Sequence, residues 1–211
     1  MPVTLLTETE MVELHGVHWR SLPLVYGSGA IDGGTIDEMV EHHKALAMKF
    51  APEVVFVSPL RGKDLDDMQV VRAEEIKHDM CSGPWCTTNR EIITRDLVDV
   101  HRAKVLLVNL KANRRKMRLL RDRHNGDVSV ADLSHPFMST QESIGEIEVE
   151  HPLTGTVVEA YEAWRSGIPV VGYNVHKACK QFASPWMNFW VTRAFEGVDD
   201  AVAYIKAVHW L

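Results

Sequence analysis

Short apolar runs alternate along this chain with segments that have helical periodicity. Runs that are almost wholly apolar are typical of strands in a parallel sheet covered on both faces. The predicted strands are 23–26, 54–57, 105–110, 169–173 and, after a loop at 184–188, 189–195. Helices are predicted over 35–50, 64–80, 88–101, 198–208 and over a segment that begins near Glu159. This alternation predicts an α/β fold of the flavodoxin-like or Rossmann-like type, with a parallel five-stranded sheet and helices on both faces.

The domain prediction has three parts. Residues 1–22 are an N-terminal extension with no clear helical period, and 23–211 form one domain. Between the third strand and the Glu159 helix lies an insertion at about 111–153, far longer than an ordinary connection. The basic residues at 111–124 are predicted to be helical, and no period is visible over 126–153.

Composition narrows the class of protein. The chain has 211 residues, of which 45% are hydrophobic and 25% charged, as in an ordinary globular protein. A net charge of -6 gives no reason to expect nucleic acid as a partner, and no apolar run approaches the length of a membrane span. The three cysteines form no even disulfide framework, which favours a cytoplasmic setting. Cys81 and Cys86 lack the spacing of a zinc site, so neither a metal nor another cofactor is predicted.

Glu159 is the first candidate for chemistry. It follows Gly155 and Thr156 and falls in the first turn of the predicted helix, where unpaired N–H groups and the helix dipole favour a carboxylate. Gly155 would let the backbone approach a ligand. At ~100° per residue, a face made of Val157, Ala160, Tyr161 and Trp164 would pack on the core, with Glu159 turned away from it. A first-turn glutamate with a purely structural role is the alternative that this segment alone favours.

Asp96 is the second candidate. The helix over 88–101 has an apolar stripe, and Asp96 falls inside it, roughly 40° from Ile92 at 100° per residue. A carboxylate on a buried helix face is costly unless it has a partner or a function. Asp99 lies at the edge of the stripe and is predicted to be a solvated charge.

Loops after the predicted strands supply candidate binding residues. Tyr26 ends the first strand and is followed by Gly27, Ser28 and Gly29, in a glycine-rich turn where a backbone can approach a ligand. Arg61 lies in a basic loop at the end of the second strand, where open α/β sheets bind ligands. Further on, Trp85 stands on a Gly-Pro loop, where it would either stack a planar ligand or cap the core.

Taken together, these motifs resemble the nucleoside 2-deoxyribosyltransferase-like family, in its short phage and bacterial form. Five segments carry the resemblance in the family's order, over about 23–208: 25–31, 58–63, 95–110, 155–159 and 184–186. The resemblance implies a flavodoxin-like fold, usually homo-oligomeric, that cleaves or transfers the N-glycosidic bond of a nucleoside or nucleotide.

The resemblance also implies roles for individual residues. Glu159 would be the nucleophile at the anomeric carbon of the sugar and would form a glycosyl-enzyme. Asp96 would hold the sugar or assist the departure of the base, and Tyr26 would orient the glutamate. The family also implies a substrate-binding segment at Trp186, Met187 and Asn188, which would reach the site of a neighbouring subunit.

Three positions depart from the family pattern. Leu153 stands where transferases of the family have Asp and nucleotide hydrolases have Ser, and Ala30 and Asp32 replace a Ser-x-Arg pair that binds phosphate. They motivate an alternative function, a catalytically weak nucleotide-binding or regulatory protein on the same fold. A nucleic-acid-associated protein that uses the basic residues at 111–124 is a third alternative.

Overall fold

The fold is described from a computed structural model of the chain. The described residues are 6–29, 36–60, 89–112, 114–132, 139–150, 154–178 and 180–209. The chain divides into two compact units. One comprises residues 1–111 and 153–211, and the other comprises residues 112–152, between the third strand and the helix that carries Glu159.

The first unit is built on a five-stranded parallel sheet, so the predicted fold class is confirmed. Its strands are β1 (Leu24–Ser28), β2 (Val55–Val57), β3 (Val105–Asn109), β7 (Val170–Tyr173) and β8 (Arg193–Ala194). They are ordered β2-β1-β3-β7-β8, which is the flavodoxin-like order, and every pairing is parallel. All carboxyl ends therefore meet at one edge of the sheet, where such folds bind ligands.

Six α-helices lie within the described ranges. They are α1 (Glu8–His15), α2 (Ile36–Phe50), α3 (Asn89–Arg102), α4 (Thr154–Arg165), α5 (Pro185–Trp190) and α6 (Val198–His209). None of the helices in the described part of the chain has the length and apolar character needed to cross a membrane. The predicted helix over 64–80 lies outside the described residues.

The alternation of side chains along the strands gives the sheet of the first unit two faces, and helices pack on each of them. Odd-numbered strand residues such as Val25, Leu107 and Val171 enter a core with Phe50 of α2 and Ile205 of α6. Because neighbouring residues in a strand point to opposite faces, Tyr26 and Ser28 project from the other face. That face is the one on which α3 and α4 lie.

The second unit differs from the sequence prediction. Residues at 111–124 were expected to be helical, but Arg114–Asp122 is a strand (β4) in an antiparallel sheet ordered β5-β4-β6. The other strands are β5 (Val128–Asp132) and β6 (Gln141–Glu150). Its basic residues pair across the sheet with acidic ones, as in Arg114 opposite Glu150 and Lys116 opposite Glu148. Opposite charges on facing strands stabilise such a pairing, which a single-segment reading of basic residues does not reveal.

The N-terminal extension, for which no clear helical period was visible in the sequence, contains helix α1, which begins at a capping box formed by Thr7 and Glu10. The predicted fifth strand over 189–195 was wrong. The fifth strand is only Arg193–Ala194, because Ser184 caps a helix with Pro185 at its first turn and the apolar residues that follow are helical. Proline at the first helical position after a serine cap is a helix-start signal, and it outweighed the strand-like composition.

Candidate active site

The end of β1 and the first turns of α4 bring two hydroxyls to one carboxylate. The Tyr26 hydroxyl donates to Oε1 of Glu159 at 3.2 Å. The Ser28 hydroxyl donates to Oε2 of the same side chain. Tyr26 and Ser28 are two residues apart in the strand and so share a face, which explains how one strand engages both oxygens.

Glu159 is buried and lies in the second turn of α4, because the helix begins at Thr154. Both its predicted orientation and its predicted first-turn position were therefore wrong. Its side chain lies with Thr156, Ala160 and Ala163 on the face that packs on the sheet, and the residue is only 9% exposed. Tyr161 and Trp164, which were expected to face the core, are 39% and 41% exposed. The small alanines let the helix approach the sheet closely, whereas the large rings find partners on α5.

Those partners are aromatic. Trp190 lies 5.3 Å from Tyr161 between ring centroids, and Phe189 lies 5.4 Å from Trp164. Trp186 is 70% exposed beside them on α5, Met187 is buried and Asn188 is exposed. This short helix therefore meets the side of α4 that carries Tyr161 and Trp164, rather than the side that carries Glu159.

Helix α3 adds two buried carboxylates. Asp96 is 8% exposed, so its predicted position on the buried face is confirmed. Asp99 is 5% exposed and was wrongly predicted to be a solvated charge, while Ile93 in the predicted stripe is 55% exposed. The buried face of α3 includes Asp96, Asp99 and Val100, an i, i+3, i+4 series that is rotated from the apolar stripe predicted from the sequence, and Ala103 directly after the helix is also buried.

Asp96 has a basic neighbour. A terminal nitrogen (Nη2) of Arg95 lies 2.7 Å from Oδ1 of Asp96 and also donates to the Pro59 carbonyl at 3.1 Å. The two side chains are 18% and 11% exposed, so the pair is largely shielded from solvent. It joins α3 to the residues that follow β2 and holds Asp96 as a hydrogen-bond acceptor.

The electrostatics of the site keep Tyr26 protonated. Burial raises the pKa of the Tyr26 hydroxyl, and the negative charges of Glu159, Asp96 and Asp99 raise it further. A phenol that keeps its proton remains a donor to Glu159. Carboxylates of α3 and α4 therefore both act electrostatically on the phenol of β1.

The predicted binding glycines have different surroundings. A Cβ on Gly27 would lie 2.4 Å from Cζ of Phe56, and one on Gly29 would lie 3.0 Å from Cβ of Asn109. Close packing therefore accounts for the absence of a side chain at Gly27. At Gly155 an added Cβ would have no atom of another described segment within 4 Å, so a ligand has room to approach the backbone there. Arg61 and Trp85, like Ala30, Asp32 and Leu153, lie outside the described residues.

A second polar cluster, which the sequence analysis did not identify, occupies the opposite face of the sheet. His42 and His43 of α2 are neighbours that hydrogen-bond to hydroxyls at two strand ends: His42 to Tyr173 at 2.8 Å, and His43 to Ser58 at 2.5 Å. Burial, with a smaller contribution from His42, lowers the pKa of His43 to about 4. Burial also lowers the pKa of His42. Within the described ranges, no three His, Cys, Asp or Glu side chains are placed to hold a metal ion.

Comparisons with known proteins leave the function open. No protein-family model matches the chain. No curated protein matches it either. A crystal structure of a conserved protein from Enterococcus faecalis V583 is similar with a TM-score of 0.47 and 13% identity, over 89% of this chain and 99% of that chain. That similarity is too low to indicate an activity for this chain.

Proposed function

We propose that this protein cleaves or transfers the N-glycosidic bond of a nucleoside or nucleotide, with Glu159 as the nucleophile. The observation that carries the proposal is the Glu159 carboxylate at the carboxyl edge of a parallel sheet, with a hydroxyl donor on each oxygen. Orientation of a reactive group by neighbours on rigid elements is what a displacement reaction requires. The order of motifs in the sequence adds support.

The proposed reaction has two displacements. A Glu159 oxygen forms a bond to the anomeric carbon as the bond from that carbon to the base nitrogen breaks, and the electron pair leaves with the base, which takes a proton from water. In the second step a new base (in a transferase) or water (in a hydrolase) attacks the anomeric carbon, the bond from that carbon to Glu159 breaks, and the carboxylate is regenerated while the nucleophile loses a proton to water. Asp96 accepts hydrogen bonds from the sugar, a role that its pairing with Arg95 favours over donation of a proton. Tyr26 holds the carboxylate in place.

The test removes the carboxylate and leaves the helix intact. Glu159→Gln and Glu159→Ala are incubated with a panel of nucleosides and nucleotides, and free base is measured by chromatography. We expect a loss of at least roughly a thousandfold in rate, as for other nucleophile deletions. Glu162→Gln is the matched control, since Glu162 lies one turn further along α4 and pairs with Arg165 at 2.8 Å. Base release by both Glu159 variants at the wild-type rate would exclude the mechanism.

A second candidate is a nucleotide-binding protein without turnover. The Arg95–Asp96 pair favours it, because a carboxylate that already has a shielded basic partner has less capacity to act on a substrate. This candidate predicts that a nucleotide raises the melting temperature while no free base accumulates over long incubation. Detection of enzyme-dependent free base would eliminate it.

The proposal also covers the oligomeric state of the protein and its cellular compartment. The exposed aromatic rings of α4 and α5 support a homo-oligomer, since large exposed apolar patches often mark interfaces. Sedimentation at increasing protein concentration measures it, and a monomer at all concentrations would contradict it. The odd number of cysteines supports a reducing, cytoplasmic setting, which cell fractionation can check.

A further inference from the structure

Ser28 was expected to bind substrate, but its surroundings indicate another task. The residue is 5% exposed, and its hydroxyl donates to Oε2 of Glu159. A serine hydroxyl has one proton to donate, so a Ser28 that serves Glu159 has none left for a substrate acceptor. We infer that Ser28 is a positioning residue that fixes the plane of the Glu159 carboxylate and keeps it charged. The catalytic part of this inference depends on the proposed function.

The geometry distinguishes two hydroxyls with complementary tasks. Tyr26 engages Oε1 and Ser28 engages Oε2, and both stand on one face of β1. A donor on each oxygen from one rigid strand restricts rotation of the carboxylate about its last side-chain bond. This strand pairs with β2 on one side and β3 on the other, so the backbone that carries the two hydroxyls is held by the sheet.

The hydroxyl of Ser28 also has an electrostatic effect. A hydrogen bond donated to a carboxylate favours its charged form, and this matters most where solvent is excluded. Asp96 and Asp99, which are both buried on α3, act electrostatically on the same phenol as Glu159, and their negative charges oppose additional negative charge there. Ser28 and Tyr26 offset that repulsion locally. Loss of Ser28 should therefore make Glu159 easier to protonate.

The first experiment measures the pH titration of the Glu159 carboxyl directly and does not require turnover. The protein is labelled with glutamate carrying 13C in the side-chain carboxyl, and the Glu159 resonance is assigned by its loss in Glu159→Gln. Its titration is then compared in wild type, Ser28→Ala, Ser28→Thr and Thr192→Val. We expect Ser28→Ala to move the titration midpoint to higher pH and Ser28→Thr to leave it near wild type. The control, Thr192, has a hydroxyl that accepts from the Val170 N–H at the other edge of the sheet. An unchanged midpoint in Ser28→Ala would overturn the inference.

The second experiment uses base release. A positioning role predicts that Ser28→Ala lowers kcat roughly ten- to hundredfold, the effect of losing one hydrogen bond to a charged group, with KM nearly unchanged. Ser28→Thr should restore most of kcat, and the acidic limb of the pH–rate profile in Ser28→Ala should move to higher pH. A rise in KM with kcat unchanged would overturn the inference and return Ser28 to substrate binding.

The two experiments separate this inference from the proposed function. If wild type releases no base from any substrate, the proposed function fails, and the carboxyl titration alone then decides the role of Ser28. If Glu159→Gln abolishes base release while Ser28→Ala has wild-type kcat and an unchanged Glu159 titration, the function stands and the inference fails.

Discussion

Gly27→Ala tests whether the glycines near the site serve packing or ligand approach. An added Cβ at Gly27 would lie 2.4 Å from Cζ and 2.8 Å from Cε2 of Phe56, well inside contact distance. Phe56 has little freedom to move, because it is 8% exposed and stacks on Phe50 with an interplanar angle of 2°. We therefore expect this substitution to destabilise the fold by about 1–3 kcal/mol, the usual cost of overpacking a core.

Gly155→Ala is the matched control. Among described residues no atom lies within 4 Å of its added Cβ, and Gly155 is in the first turn of α4. Alanine in a helix is favoured over glycine, so this variant should be more stable by up to about 1 kcal/mol. The two glycine variants should then differ in free energy of unfolding by roughly 1–4 kcal/mol. If Gly155 also lines the substrate site, its variant gains stability and loses activity.

The assay is guanidinium unfolding followed by tryptophan fluorescence, with the slope of the transition compared between variants. A second substitution tests whether the Phe56 ring causes the loss of stability. Phe56→Leu removes the ring that meets the new Cβ, so the double variant should lose less free energy of unfolding than the sum of the two single variants. A Gly27→Ala protein within about 0.5 kcal/mol of wild type, a typical surface value, would refute the packing argument.

The remaining predictions concern pH and assembly. The pKa of His43 is about 4 in the folded protein, below the ordinary histidine value of about 6.5, so the unfolded chain binds the extra proton first as the pH falls. The stabilisation by neutral His43 is full above pH ~6.5 and is lost as the pH falls towards ~4, by up to about 3 kcal/mol. His43→Gln should flatten this part of the stability profile, whereas substitution of the exposed His176 should not. For assembly, Trp164→Ser with Phe189→Ser should lower the sedimentation mass, and an unchanged mass would exclude this surface as the interface.

The sheet could be predicted from sequence because burial on both faces leaves a direct mark. Residues 105–108 are all buried in β3, as their uninterrupted apolar run indicated. Asp96 was also predictable, since a charge within an apolar stripe is a local contradiction that only a buried environment explains. These signals need no knowledge of what the segment packs against.

Other features depended on partners that no local pattern reveals. The buried face of α4 was predicted wrongly because Tyr161 and Trp164 are large and apolar and were therefore expected to face the core. In fact Ala160 and Ala163 fit against the sheet and the rings pack on α5. The burial of Asp99 was not predicted, because the buried face of α3 is rotated from its most apolar side. Its position three residues after Asp96, on the same side of the helix, was a usable signal. In β4 the basic residues are balanced by acids some thirty positions away, as in Arg118 opposite Glu146.

Strand β1 has consequences for anyone who would redesign this protein. Val25 and Gly27 belong to its packing side, while Tyr26 and Ser28 hold Glu159 on the other. Sliding the strand by one residue would exchange those assignments, and randomising it would damage folding and reactivity together. Directed evolution of new specificity should therefore leave these consecutive positions fixed, together with Asp96 and Asp99 on α3, and diversify positions near Gly155.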